Sequence, residues 1–232
     1  MKIVISEGLL DYQQSLGQML AEVELVKQSK SEGLGWFLQH SPVYTAGSSA
    51  NLPEEVDNIN GVPVFKTGRG GQYTFHGPGQ LVCYVVTDLR TLYAPNPPDL
   101  KNYVFKIETI IINLLAQYNI TGFLKQDKVG VWVDEASLKA PQDTSAESIY
   151  ATQNHKKIAA IGIRVSGGVA FHGFCININV DLNYYKAIVP CGIANYGVCN
   201  LIPHAPQSTF HDICKKLSPN IALLNRFPLA RK

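Results

Sequence analysis

Residues 68–81 read Gly68-Arg69-Gly70-Gly71-Gln72-Tyr73-Thr74-Phe75-His76-Gly77-Pro78-Gly79-Gln80-Leu81. Five glycines, an arginine, two glutamines and a histidine in one short segment make it too polar and too glycine-rich for core. Glycine loses the most backbone entropy on folding, so this density predicts positive-φ turns or a close approach of backbone to a ligand. The spacing excludes the usual nucleotide loops, because neither the third glycine of a dinucleotide fingerprint nor a Gly-Lys-Ser/Thr follows. Leu81-Val82-Cys83-Tyr84-Val85-Val86 comes next and reads as strand, which rules out a phosphate seated on a helix N-terminus. Two readings stay open: a structural glycine hairpin, or a surface whose N–H groups bind a carbonyl oxygen and along which an acyl chain can slide.

Working outward, Lys2 to Ile5 reads as a first strand and Asp11 to Lys27 as a helix, with Tyr12, Leu16, Met19, Leu20, Val23 and Val26 on one face. Leu34 to Leu38 is a buried-strand candidate that runs into a Pro/Gly loop holding His40 and Tyr44. A hydrogen-bonding role at the strand end is the favoured reading of His40. Leu52 to Asn60 reads as a surface connection. Gln80 to Asp88 is β-rich, and after a loop from Thr91 to Pro98 a second helix is expected from Leu100 to Tyr118. Asp99 caps it, and Val104, Ile107, Ile110, Ile111, Leu114, Leu115 and Tyr118 form its apolar stripe. Val129 to Asp134 and Lys156 to Arg164 read as strands, the second with Lys157 at its start and Lys156 on the opposite face. Ser166-Gly167-Gly168 is a hairpin turn into Val169 to Leu182, and Thr209 to Leu224 closes the chain as one or two short helices. Between strands, Glu135 to Asn154 is poor in apolar residues and is expected to be an exposed, mobile hairpin insertion.

The 232 residues give length for one large domain, and nothing in the composition divides them, so residues 1–232 are read as a single domain. A net charge of +2 with 16% charged residues, and no basic run or basic helix face, argues against a nucleic-acid-binding protein and leaves room for a modest positive patch toward an acidic carrier protein. The N-terminal apolar run is too short for a signal peptide, and no stretch approaches the ~20 apolar residues of a membrane span, so a cytoplasmic protein is expected. Five cysteines, at 83, 175, 191, 199 and 214, form no CxxC pair, which disfavours a disulfide framework and a zinc site. Cys191 is set apart: Val189-Pro190-Cys191-Gly192-Ile193 holds it in a Pro/Gly turn, which fixes its direction without burying it. Cys199 sits in a less constrained loop, and Cys83 and Cys214 fall on strand and helix patterns.

Arg69-Gly70-Gly71-Gln72-Tyr73-Thr74-Phe75-His76-Gly77-Pro78-Gly79-Gln80 closely resembles the signature of the lipoyl(octanoyl) transferase family. Lys157-Ile158-Ala159-Ala160-Ile161-Gly162 and the turn around Cys191 match two further motifs of that family, and the resemblance covers nearly all of the chain. It implies an α/β single domain of the biotin/lipoate protein ligase-like type, a mixed sheet flanked by helices. The implied activity moves an octanoyl group from octanoyl-acyl carrier protein to a lysine of lipoyl domains, those of 2-oxoacid dehydrogenases and of the glycine cleavage H protein. No cofactor or metal is implied. Cys191 would be the nucleophile and Lys157 its partner, a role that asks for burial or neighbouring charge around the lysine. The implied substrate-binding residues are Arg69, Gly70, Gly71, Gln72, Tyr73, Thr74, Phe75 and His76, with Ala160, Ile161 and Gly162, and Gly173, Phe174 and Cys175, lining the acyl pocket. Cys175 stands where relatives carry a small apolar residue and is read as packing. Arg69 is open between anchoring the carrier's phosphopantetheine arm and pairing with a structural carboxylate. His76 is open between orienting a neighbour and being satisfied by a backbone carbonyl. The resemblance also leaves two rivals, an ATP-dependent lipoate or biotin ligase and a non-catalytic module that binds acyl carrier or lipoyl domains. The family's connection at 135–154 is shorter than the one here, which is where this chain departs from the pattern.

Overall fold

The computed structural model describes residues 1–50, 58–59, 61–134, 155–188, 197–202 and 205–225. Cys191 and the 135–154 insertion lie outside them, as does most of the 52–60 connection. In chain order the strands are β1 (Lys2–Leu10), β2 (Leu34–His40), β3 (Val43–Ala46), β4 (Asn58–Ile59), β5 (Val62–Lys66), β6 (Tyr73–His76), β7 (Gln80–Asp88), β8 (Gly122–Lys125), β9 (Lys128–Asp134), β10 (His155–Ser166), β11 (Val169–Asn177) and β12 (Gly197–Val198). The helices are α1 (Tyr12–Lys27), α2 (Leu89–Tyr93), α3 (Leu100–Ala116) and α4 (Phe210–Leu223), with a 3-10 helix at Leu182–Ala187.

Among the described residues the large sheet has the order β1-β2-β7-β11-β10-β9-β8, and β12 joins β10. β1 runs parallel to β2 and β12 parallel to β10, while the remaining pairs are antiparallel, so the sheet is mixed. A second sheet, β4-β5-β3-β6, carries most of the glycine-rich segment's strand. β7 and β11 are buried along almost their whole length and read as continuous apolar runs, because helices cover both faces of the centre. On one face α3 and α4 pack Ile107, Ile111, Leu114, Ile213 and Leu217 against Cys83, Val85, Val131, Ile158 and Ile176. On the other, α1 sets Met19, Val23 and Val26 against Trp36, Val82, Tyr84 and Cys175.

Local chemistry places these helices. Asp11 accepts a hydrogen bond from Gln14 N–H and Asp99 one from Asn102 N–H, each cap contributing about 1 kcal/mol. α4 starts at a reciprocal capping box between Thr209 and Asp212 and runs as one helix through Pro219. Leu16 and Leu20, expected on the inner face of α1, are half-buried and exposed, and Ser15 takes a buried place instead with its hydroxyl donating to Asp11 O. Within 91–98 the chain first completes α2 before it turns to loop. The turn into β11 is as expected, with Gly167 and Gly168 both at positive φ, the pair that a two-residue hairpin requires.

Candidate active site

Three adjacent strands present small side chains in register. Val82, Cys175 and Ala160 stand side by side across β7, β11 and β10, and Tyr84, Gly173 and Gly162 form the next row. Side chains alternate across a sheet, so these rows share the face that α1 covers in part, and the small residues among them, Ala160, Gly162, Gly173 and Cys175, leave a trough. The glycine-rich segment roofs it. Arg69, Gly70, Gly71, Gln72, Thr74 and His76 form the far wall, and Tyr12 closes the side toward α1, giving an open, mostly apolar cleft. Gly70 N–H donates to Ile163 O at 3.1 Å and ties roof to floor, which commits that amide to structure rather than to a substrate oxygen.

The two strand glycines make room for protein. A β-carbon on Gly162 would stand 3.0 Å from Arg69 Cδ and 3.3 Å from Gly70 O, and one on Gly173 would stand 2.1 Å from Cys83 O. Of the two readings of such glycines, ligand or backbone, the neighbour is therefore the protein's own chain. His172, just before Gly173, holds φ 64 inside a strand, an uncommon state for a residue with a β-carbon that places the ring on the cleft wall.

A chain of hydrogen bonds runs behind the roof. Arg69, only 9% exposed, donates from Nε and Nη2 to Thr45 Oγ1, from Nη2 to Thr45 O, and from Nη1 to Gly70 O. Thr45 Oγ1 meets His76 Nε2 at 3.5 Å, and His76 Nδ1 meets Gln80 Oε1 at 2.6 Å. Gln80 Nε2 donates to Phe75 O, Asn177 Oδ1 and Tyr185 OH. The amide nitrogen is thus spoken for, its oxygen faces His76, and the proton of His76 sits on Nδ1. Burial, with the neighbouring His40 and Arg69, lowers the His76 imidazole to about 3, and burial with Arg69 and Arg164 does the same to His172, also to about 3. Both rings are neutral at physiological pH. Thr74, Phe75 and Gln80 are buried, so part of the glycine segment is core after all, and the buried Gln80 amide is admitted because both its oxygen and its nitrogen have partners. His40 is fully buried, with Nδ1 donating to Leu10 O and Nε2 accepting from Tyr84 OH, the hydrogen-bonding role expected of it.

Lys157 lies where the cleft continues past Ala160. A smaller cavity lined by Lys157, Asn177, Tyr185 and Val198 shares Thr74, Ala160 and Cys175 with the main cleft. The lysine is 6% exposed, is paired in register with Trp132, and holds Nζ 5.4 Å from that indole's centroid. The backbone around it is fixed by β12, which pairs Gly197 with Lys156 and Val198 with Lys157, and by Cys199 N–H donating to Lys157 O at 3.1 Å. Gly197 follows Cys191 by six residues.

The structure thus gathers Arg69, Gly70, Gly71, Gln72, Thr74, His76, Ala160, Ile161, Gly162, Gly173, Phe174 and Cys175 around one cleft, with Lys157 at its end. Tyr73 and Phe75 do not line it. Alternation along β6 turns Phe75 to the other side, where it stacks on Tyr184 with ring centroids 4.2 Å apart and packs against Tyr44. Tyr12, Val82, Tyr84 and His172 line the cleft without having been singled out in the sequence. The spacing of Val82 and Tyr84, one strand face beside the glycine segment, was the available signal. Nothing local marks Tyr12 or His172. Of the described cysteines, Cys83 and Cys214 are buried, and burial pushes both thiols up, Cys214 to about 12, while Cys199 packs against the α3–α4 core.

Residues 11–222 match the family model described as lipoyl protein ligase A/B catalytic domain. The chain is 42% identical over 210 residues to an octanoyltransferase of Brucella melitensis, covering 90% of this chain and 75% of that one. It is 37% identical over 216 residues to an octanoyltransferase of Wolbachia pipientis, covering 92% and 95%. Among solved structures it resembles a lipoate-protein ligase A bound with ATP, with a TM-score of 0.62 at 14% identity, covering 96% of this chain and 84% of that one. It also resembles the bipartite lipoate protein ligase of Thermoplasma acidophilum, with a TM-score of 0.60 at 12% identity, covering 99% and 85%. The mixed sheet flanked by helices is the fold these structures share, and the chain belongs to the lipoyl protein ligase A/B catalytic domain family.

Proposed function

We propose that this chain transfers an octanoyl group from octanoyl-acyl carrier protein to a lysine of lipoyl domains, through a thioester on Cys191. The observation that carries it is the buried Lys157 at the end of an apolar cleft floored by small side chains, held by the strand that follows Cys191 in sequence. The octanoyltransferase relatives at 37–42% identity support the same reaction.

The thiolate of Cys191 attacks the thioester carbonyl carbon, and the tetrahedral intermediate collapses with the carrier's thiol leaving on a proton from Lys157. The octanoyl chain lies over Val82, Ala160 and Cys175, whose apolar surface it covers. A lysine amine of a lipoyl domain then attacks the acyl-enzyme, neutral Lys157 accepts the proton released, and Cys191 leaves as thiolate while the amide forms. Aminolysis of a thioester runs downhill, so the reaction needs no ATP. Gly70 N–H is committed to Ile163 O, which leaves amides elsewhere to hold the oxyanion.

The acceptors are lipoyl domains of 2-oxoacid dehydrogenases and the glycine cleavage H protein, and one domain, residues 1–232, serves both half-reactions. A nucleophilic thiolate asks for a reducing compartment, which supports a cytoplasmic setting for the reaction; no helix among the described residues is long and apolar enough to cross a membrane. The test is transfer to an apo lipoyl domain from octanoyl-acyl carrier protein without ATP, against free octanoate with ATP. Product only in the first mixture is expected, and product only in the second would make the chain a ligase.

A further inference from the structure

The apolar stripe of α3 carries a charged residue it has no packing reason to bury. Glu108 is 8% exposed, on the face that meets the sheet, and a buried carboxylate is costly unless it holds a partner. Its Oε1 accepts the backbone N–H of Gly130 at 2.9 Å. That amide lies beside the irregular stretch of the β9–β10 ladder, where the register shifts between Lys157 and Ala159.

Gly130 in turn is the seat of Lys157. It holds φ 122, and a β-carbon there would stand 2.4 Å from Lys157 Cε and 3.1 Å from Nζ, so the lysine side chain lies over bare backbone. Trp132, two residues along the same strand face, covers the lysine from the side with its ring and also carries Lys125 Nζ, 5.2 Å from its centroid. Burial raises the Glu108 carboxyl above its ordinary range, opposed by the Gly130 N–H and by the charge of Lys157, which puts the carboxylate within electrostatic reach of the ammonium.

We propose that Glu108 and Gly130 are positioning residues for Lys157: the Glu108 carboxylate pins the Gly130 backbone, and side-chain-free Gly130 is the surface that sets where the lysine amine lies. This rests on Lys157 being the proton-transfer group of the reaction. Neither residue touches the substrate, and both act through the lysine. Displacement of a reacting group by about 1 Å can cost on the order of 100-fold in rate, which is the scale on which such a seat matters.

The test is a set of steady-state and single-turnover measurements on the full chain with octanoyl-acyl carrier protein and an apo lipoyl domain. Glu108→Ala is expected to lower kcat by about 10-fold or more with KM for the carrier within about 2-fold. Glu108→Gln, whose amide oxygen accepts the same N–H, restores kcat to within about 3-fold. In a Lys157→Ala background the Glu108→Ala change costs nothing further, because a residue that acts only through the lysine has nothing left to act on. Equal losses from Glu108→Ala with and without Lys157 would make Glu108 merely structural, and full activity of Glu108→Ala beside an inactive Lys157→Ala would overturn the positioning role alone. Full activity of Lys157→Ala would instead remove the proton-transfer reading and the seat with it. Gly130→Ala is expected to lose about 100-fold in kcat, and should it fail to fold, the Glu108 pair carries the decision.

Discussion

His76 and Gln80 are locked to each other, Nδ1 to Oε1 at 2.6 Å, and the lock decides which ring nitrogen of the cleft wall carries the proton. With Gln80 Nε2 committed to Phe75, Asn177 and Tyr185, the Gln80 oxygen faces the ring and takes the Nδ1 proton of His76, while burial and the neighbouring His40 and Arg69 keep the ring neutral.

Stability should therefore fall with pH in a defined window. His76 and His172 sit at about 3 in the folded chain, whereas an unfolded imidazole protonates near 6.5. Below about 6.5 the unfolded state binds protons that the folded state refuses, so the stabilisation is whole above that pH and is lost as pH falls, by up to ~1.4 kcal/mol per unit for each ring. Asp88 and Asp212, whose carboxyls are held below their ordinary range, titrate lower still, while the His40 imidazole, also lowered by burial, adds to the trend and the raised Glu108 carboxyl opposes it, so the comparison is made against a His76 variant. Urea midpoints between about pH 7.5 and about pH 5 should drop for the native chain and drop less for His76→Gln, and equal slopes would show that His76 is not held neutral by the fold.

Replacing Gln80 by leucine should be costly although it adds apolar surface. Gln80 is fully buried and serves four partners, and Gln80→Leu leaves them without it. A loss of roughly 3 kcal/mol in urea unfolding is expected, whereas a loss below about 1 kcal/mol would mean that water satisfies the cluster.

Two glycine substitutions should go in opposite directions. Gly17 lies exposed in α1 with nothing within 4 Å of a new β-carbon, so Gly17→Ala should stabilise by about 0.5–1 kcal/mol. Gly173→Ala drives a β-carbon to 2.1 Å from Cys83 O, a backbone atom in the central strand, and should cost about 3 kcal/mol or prevent folding. Thermal melts of the two variants check both signs.

Ala160 lines both the cleft and the Lys157 cavity, so its size should set acyl length. Ala160→Leu is expected to lower kcat/KM for the octanoyl donor by about 10-fold or more while a butyryl donor changes by less than about 3-fold. Equal losses for both donors would place the chain elsewhere.

Legibility in the sequence followed physical locality. The cap at Asp99, the period of α3 and the Gly167-Gly168 turn are settled by neighbours in the chain, and each was readable. The cleft floor came from the family resemblance rather than from the pattern, and alternation along β10 and β11 accounts for Ala160, Gly162, Gly173 and Cys175 sharing one face. What failed depended on distant partners. Phe75 turns from the cleft because Tyr44 and Tyr184 wait on the other side, and Gln80 is buried because His76, Phe75, Asn177 and Tyr185 satisfy its amide. Glu108 looked like part of a plain packing helix, since its partner, Gly130, is set by tertiary register alone. The loop glycines suggested an oxyanion surface, yet Gly70 N–H closes onto Ile163 and Gly79 N–H onto Gln39.

The most direct measurement is the intact mass of the protein after mixing with octanoyl-acyl carrier protein in the absence of ATP, for the native chain, Cys191→Ser and Cys199→Ser. A hydroxylamine-labile octanoyl adduct on the native chain and on Cys199→Ser, absent from Cys191→Ser and passed on to an apo lipoyl domain, is the predicted result. An adduct that persists in Cys191→Ser, or none on the native chain while transfer proceeds, would contradict a thioester on Cys191.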